Sequence, residues 1–152
     1  AFIAALNATF DTNNFDMGNE PDITYPYLYN YVAGQEHNTA QHVTRLISKY
    51  FTNQPAGLPG NDDAGTMSAW LVFSLLGIYP VSPGDMYYAT TSTAFDKVTI
   101  HLNPAYYAGK TLSISPLEEQ QNTPSLDGNR LNNGFVTHQQ LTQGADLRLR
   151  GQ

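Results

Sequence analysis

The spacing of hydrophobic positions changes near Pro80. Before it, apolar residues recur at helical intervals. Val43, Leu46, Ile47, Tyr50 and Phe51 follow the i, i+3, i+4, i+7, i+8 spacing of one buried stripe and predict a helix over Asn38–Phe51. Asn38 and Gln41 are spaced as a capping box, and Arg45 and Lys49 occupy the polar side. A shorter helix is predicted over Pro26–Val32, ending at Gly34. A third, over Ala64–Leu76, stops at Gly77. Its residues Met67, Ala69, Trp70, Leu71, Val72, Phe73, Leu75 and Leu76 leave no wide polar face, so burial nearly all round is expected. Two other helices are too few to surround it, which suggests missing neighbours.

After Pro80 the pattern is that of strands. Met86–Thr91, Val98–Leu102 and Thr111–Ile114 are short, rich in β-branched and aromatic residues, and separated by turn formers. Asp127-Gly128 between Leu126 and Leu131 predicts a hairpin turn. The alternation Leu147-Arg148-Leu149-Arg150 is read as an edge strand. The expected class is α+β, with a helical region over 1–80 and a β region over 81–152.

Composition narrows the possibilities. The 152 residues are about one average domain, and 41% hydrophobic with 12% aromatic is ample for a core, which excludes wholesale disorder. Without cysteine there is no disulfide, thiolate metal site or cysteine nucleophile. The net charge of −6 argues against nucleic acid and anionic membrane as partners. The run Ala69–Tyr79 is too short to span a bilayer. Ala1–Leu6 lacks the charged start and cleavage site of a secretory signal. It reads as the tail of a helix, and hence the chain as a piece of a larger polypeptide.

Candidate chemistry concentrates in two loops of the helical half, each with acids beside Gly and Pro. The first is Met17-Gly18-Asn19-Glu20-Pro21-Asp22; the second is Gly57-Leu58-Pro59-Gly60-Asn61-Asp62-Asp63-Ala64-Gly65. An acid at a helix N-terminus is favoured in its ionised form and suits a general base that activates water. It equally suits a simple N-cap, and either Asp62 or Asp63 fits both roles. In the first loop Glu20, Asp22 and an Asn19 oxygen suit a hard cation, or a turn with solvated acids. The neighbouring segment Asp11–Asp16 fails as an EF-hand, with Phe15 where a ligand belongs and Asp16 where glycine belongs. His37, His42, His101 and His138 fall at no zinc spacing and are assigned to surface or packing. Ser68 and Ser74 have no nucleophile-elbow pattern, and Asn7-Ala8-Thr9 matches the weak N-glycosylation sequon.

Taken in order, several segments resemble glycoside hydrolase family 92. They are Gly18–Asp22, Pro26–Tyr31, Gly57–Gly65, Met67-Ser68-Ala69-Trp70, Leu76-Gly77-Ile78-Tyr79-Pro80-Val81, Pro83-Gly84, Phe95-Asp96-Lys97-Val98 and Leu126-Asp127-Gly128-Asn129. Ala64 departs from the family, whose members often carry Cys there. The resemblance implies a calcium-dependent, inverting exo-α-mannosidase, for example an α-1,2-mannosidase, acting on mannose-containing glycans. It implies the last helices of an (α/α)6 barrel followed by a small antiparallel β region. The partners would be the β-sandwich and remaining barrel helices of the parent polypeptide, and the location secreted or extracytoplasmic.

The same resemblance carries the catalytic base onto Asp63, with Asp62 and Asn61 as orienting neighbours, and Asn61 and Asp22 toward the substrate. Calcium is carried onto Glu20 and Asn19. The family's general acid is a Glu upstream of these motifs, so the isolated chain is expected to be inactive. The competing expectation is a lectin-like fragment that binds carbohydrate without turnover.

Overall fold

The computed structural model describes residues 1–12, 14–82 and 84–152. Asn13, in the failed EF-hand segment, and Pro83, in the Pro83-Gly84 motif, lie outside the described residues. The chain forms two compact units, Ala1–Leu71 and Val72–Gln152.

The first unit begins with α1, Phe2–Asp11, whose buried residue is Leu6. A 3-10 helix follows over Glu20–Tyr31, replacing the short helix expected over Pro26–Val32. Pro21 stands at its start and Pro26 inside it. The second lacks an N–H and its ring would crowd the carbonyl four residues back, both of which disfavour an α-helix interior. Helix α2 spans Glu36–Tyr50; of the expected stripe it buries Val43 and Leu46, with Ile47, Tyr50 and Phe51 half-buried, and Thr39 one turn earlier is buried as well. The expected capping box is absent: the helix starts two residues earlier, and the Asn38 amide donates to Gln35 Oε1 at 2.8 Å.

Helix α3, Thr66–Leu76, begins in this unit and ends in the next, at Gly77 with φ +88°. Trp70 is fully buried, its indole N–H donating to the Ile23 carbonyl at 2.9 Å and its ring stacked on Phe51 at 5.5 Å. Burial is not all round, however. Ala69 is exposed and Val72 is 55% exposed, because the described residues supply no partner for that side.

Among the described residues, the second unit holds the end of α3, nine short strands and a short helix. Strands β1 (Ile78–Tyr79), β2 (Tyr87–Thr90) and β8 (Phe135–Thr137) form an antiparallel sheet in the order β1-β2-β8. The larger sheet has the order β4-β5-β9-β6-β7, from Val98–His101, Thr111–Pro116, Ala145–Gly151, Ser125–Leu126 and Asn129–Arg130, with β3 (Ser92–Thr93) also paired to β9. Asp127 and Gly128, at φ +50° and +77°, close the expected hairpin between β6 and β7. Helix α4, His138–Thr142, carries a true capping box through Thr137 and Gln140.

Two expectations need correction here. The sheet is mixed, since β9 runs parallel to β5 and to β3. Leu147–Arg150 is no edge strand: it lies in β9 at the middle of the sheet, with Leu147 and Leu149 fully buried among Ile78, Leu112, Ile114 and Leu126.

Candidate functional site

Both acid-bearing loops belong to the first unit, and their backbones touch. Gly60 has φ +66°, and a β-carbon placed on it would stand 3.1 Å from the Gly18 α-carbon. Any side chain there would meet backbone and would also sit in the left-handed region that glycine alone adopts at little cost. The close approach is backbone against backbone, which is why glycine faces glycine.

The first loop is held from within. The Asp22 carboxylate is buried and accepts from the Asp16 backbone N–H at 2.9 Å and from the Asn19 amide at 3.2 Å. Asp16 Oδ1 in turn accepts from the Gly18 N–H at 2.8 Å. The Asp22 N–H donates to the Asn19 carbonyl at 2.9 Å, which starts the 3-10 helix. Asp22 thus spends both oxygens on the loop itself. A hydrogen bond to a charged acceptor contributes about 1.5–3 kcal/mol, so this clamp stabilises the loop in the shape seen.

The second loop is held by Asp62. Its two carboxylate oxygens accept from the Ser68 N–H at 2.7 Å and from the Ser68 hydroxyl at 2.9 Å. Its carbonyl accepts from Gly65 N–H at 3.0 Å and Met67 N–H at 3.2 Å. Asp62 therefore satisfies the Met67 and Ser68 N–H groups in the first turn of α3, while the Thr66 N–H donates to the Asp63 carbonyl at 3.3 Å, so the side-chain capping role left open between Asp62 and Asp63 falls to Asp62. Between the anchors, Asp63, Ala64 and Gly65 all have positive φ, at +44°, +58° and +93°. For residues bearing a β-carbon that conformation costs roughly 1–2 kcal/mol each. The hydrogen bonds at Asp62 and the Thr66 hydroxyl on the Asp63 carbonyl, at 2.9 Å, offset it.

The acids are sorted by this arrangement. Asp16, Asp22 and Asp62 have carboxylate oxygens committed to the loops. Among the described residues, the carboxylates of Glu20 and Asp63 accept no hydrogen bond and form no ion pair, and both residues are exposed. Asn61 is exposed as well, and Asn19, also exposed, has its amide N–H turned to Asp22. Sequence reasoning missed Ser68 as a partner of Asp62, because a helix serine six residues beyond an acid carries no pattern of its own. It also missed the Gly18–Gly60 contact, which joins segments far apart in the chain.

The donors suit a hard cation in kind: two exposed oxygen-bearing side chains, Glu20 and Asn19. They are an incomplete set. Among the described residues no group of three or more His, Cys, Asp or Glu is placed to hold a metal ion, whereas calcium takes 6–8 oxygens. Any further ligands must be backbone oxygens, water, substrate hydroxyls or other segments.

The histidines lie elsewhere. His42 is stacked on Phe10 at 4.0 Å and on Tyr29 at 5.2 Å, with its Nε2 3.3 Å from the Tyr29 hydroxyl. That hydroxyl donates to Asn7 Oδ1 at 2.7 Å, so the sequon asparagine is engaged in helix packing. Burial, and then Arg45, push the His42 pKa below its ordinary value, with Asp11 opposing. His138 Nδ1 lies 3.0 Å from the Tyr88 hydroxyl.

A family model for the glycosyl hydrolase family 92 catalytic domain matches residues 1–150, and the chain belongs to this family. It is similar to an uncharacterized secreted glycosidase of Arthroderma benhamiae, 30% identical over 97% of this chain and 20% of that protein. Among solved structures it is similar to a family GH92 inverting mannosidase of Bacteroides thetaiotaomicron VPI-5482, at 32% identity and TM-score 0.76, over 97% of this chain and 20% of that one. A family GH92 α-mannosidase of Bacteroides thetaiotaomicron, solved with mannoimidazole, matches at 26% identity and TM-score 0.74, over 87% of this chain and 17% of that one. The chain thus spans about a fifth of the length of these relatives. Among the described residues no helix is long and apolar enough to cross a membrane.

Proposed function

We propose that this chain carries the base-bearing part of an inverting, calcium-dependent exo-α-mannosidase that hydrolyses α-mannosides of glycans. The observation that supports it is the sorting of acids: of the carboxylates on two touching loops, Glu20 and Asp63 alone are uncommitted. These are the residues that the family resemblance carries to calcium and to catalysis.

In the proposed reaction Asp63 removes a proton from a water molecule while the oxygen of that water attacks the anomeric carbon. The glycosidic bond breaks on the opposite face, and the departing oxygen takes a proton from an acid. Inverting geometry requires that acid roughly 6.5–9.5 Å from the base, leaving room for the water. It would come from a part of the parent polypeptide outside this chain, along with a β-sandwich and further barrel helices packed on surfaces such as Val72. The isolated chain is accordingly inactive in this account. Asn61 and Asp62 orient the base, and Asp22 reaches the substrate only through the loop it clamps. Calcium, when bound, would supply positive charge for sugar hydroxyls, and Glu20 and Asn19 are the residues that would hold it. The secreted fungal relative supports a location outside the cytoplasm.

The test uses the full-length polypeptide on an aryl α-mannoside, with the anomeric product followed by proton NMR. Initial release of β-mannose, lost in excess chelator and restored by calcium, is the expected result. Initial α-mannose, or turnover indifferent to chelator, contradicts the proposal. Sugar binding without any turnover would favour the lectin-like alternative.

A further inference from the structure

Ser68 lies in α3, outside both acid-bearing loops, and has no part in the chemistry above, yet it donates twice to one carboxylate. Its N–H reaches Asp62 Oδ1 at 2.7 Å and its hydroxyl reaches Asp62 Oδ2 at 2.9 Å. The backbone N–H is fixed by α3, whereas the hydroxyl is the side chain's own contribution. Together they hold Asp62 against rotation about its side-chain bonds. Asp62 is in turn the fixed end of the left-handed run Asp63-Ala64-Gly65, whose other end is the first turn of α3. The direction of Asp63 therefore depends on how firmly Asp62 is anchored to Ser68.

We infer that Ser68 is a positioning residue: its hydroxyl locks Asp62 as the anchor of the turn and thereby aims Asp63 at the attacking water. This deepens the proposal that Asp63 is the base and rests on it. A base must be held in line with water and anomeric carbon, and a displacement of about 1 Å costs as much as 10²-fold in rate. Binding of the ground-state sugar needs no such alignment. Loss of the hydroxyl should therefore appear in kcat and leave KM in place.

The experiment compares Ser68→Ala and Ser68→Thr in the full-length enzyme, with Asp63→Asn as background. Ser68→Ala is expected to lower kcat about 10- to 100-fold with KM within about twofold, and Ser68→Thr, which keeps the hydroxyl, to recover most of it. In the Asp63→Asn background Ser68→Ala should have no further effect on residual turnover. Unchanged kcat in Ser68→Ala, a loss confined to KM, or a Thr variant as slow as the Ala variant would overturn the inference. Circular dichroism and melting of each variant separate misaimed chemistry from misfolding, and a Thr variant that folds but fails to rescue counts against the role. Full activity of Asp63→Asn alone would instead remove the base assignment itself, a distinguishable failure.

Discussion

Gly18 and Gly60 meet backbone to backbone: a β-carbon on Gly60 would lie 3.1 Å from the Gly18 α-carbon, at a φ of +66°. This contact brings together two loops that are about forty residues apart in the chain, each bearing one uncommitted acid. Gly60→Ala should cost about 1–2 kcal/mol from the backbone conformation alone, and more from the contact. Thermal denaturation checks this. A variant as stable as wild type, with unaltered calcium affinity, would show that the contact does not hold the loops.

Asp22 is buried and clamps the first loop. Asp22→Ala should therefore destabilise by about 1–3 kcal/mol, leaving the Asp16 N–H without its acceptor. Chemical denaturation of wild type and variant measures the difference. Loss of catalysis with unchanged stability would instead give Asp22 a direct role with substrate.

His42 makes a specific prediction about pH. Burial lowers its folded pKa below the ordinary 6.5, so the unfolded chain binds the extra proton first as pH falls. The stabilising contribution is fully present above about 6.5 and is lost as pH falls through the lowered folded value. His42→Gln should flatten that part of the stability profile, measured as denaturation midpoint between pH 7 and pH 4.5. A profile of identical slope in the variant would assign the pH dependence to other groups.

The sequence made the local features legible and the non-local ones obscure. The α2 stripe, the Gly77 stop and the Asp127-Gly128 hairpin are each written in a few adjacent residues, and each appears in the structure. Alternation in Leu147–Arg150 reveals a strand, but its place in the middle of a mixed sheet depends on parallel pairing with β5, more than thirty residues earlier. The 3-10 form of Glu20–Tyr31 was hidden because helical periodicity barely separates it from an α-helix, although Pro26 was a clue. At the candidate site the two acid loops were visible as clusters. The division of labour within them was not, because it rests on which carboxylates find N–H partners: Asp62 on Ser68, Asp22 on Asp16.

Calcium dependence should follow Glu20. In the full-length protein Glu20→Gln is expected to weaken calcium binding at least tenfold, since a carboxylate is replaced by a neutral amide at an oxygen-only site. Calorimetric titration of the chelator-stripped protein gives the comparison. Equal affinity in wild type and variant would move the cation elsewhere.

The most direct test of the whole account sets Asp63→Asn beside Asp62→Asn in the full-length polypeptide, with kcat measured on an α-mannoside at saturating calcium. The account predicts a loss of about 10²–10⁴-fold for Asp63→Asn, with the fold intact. It predicts a smaller loss for Asp62→Asn, which keeps an oxygen for the Ser68 N–H. Wild-type turnover in Asp63→Asn, or the larger loss in Asp62→Asn, would contradict the assignment of the base.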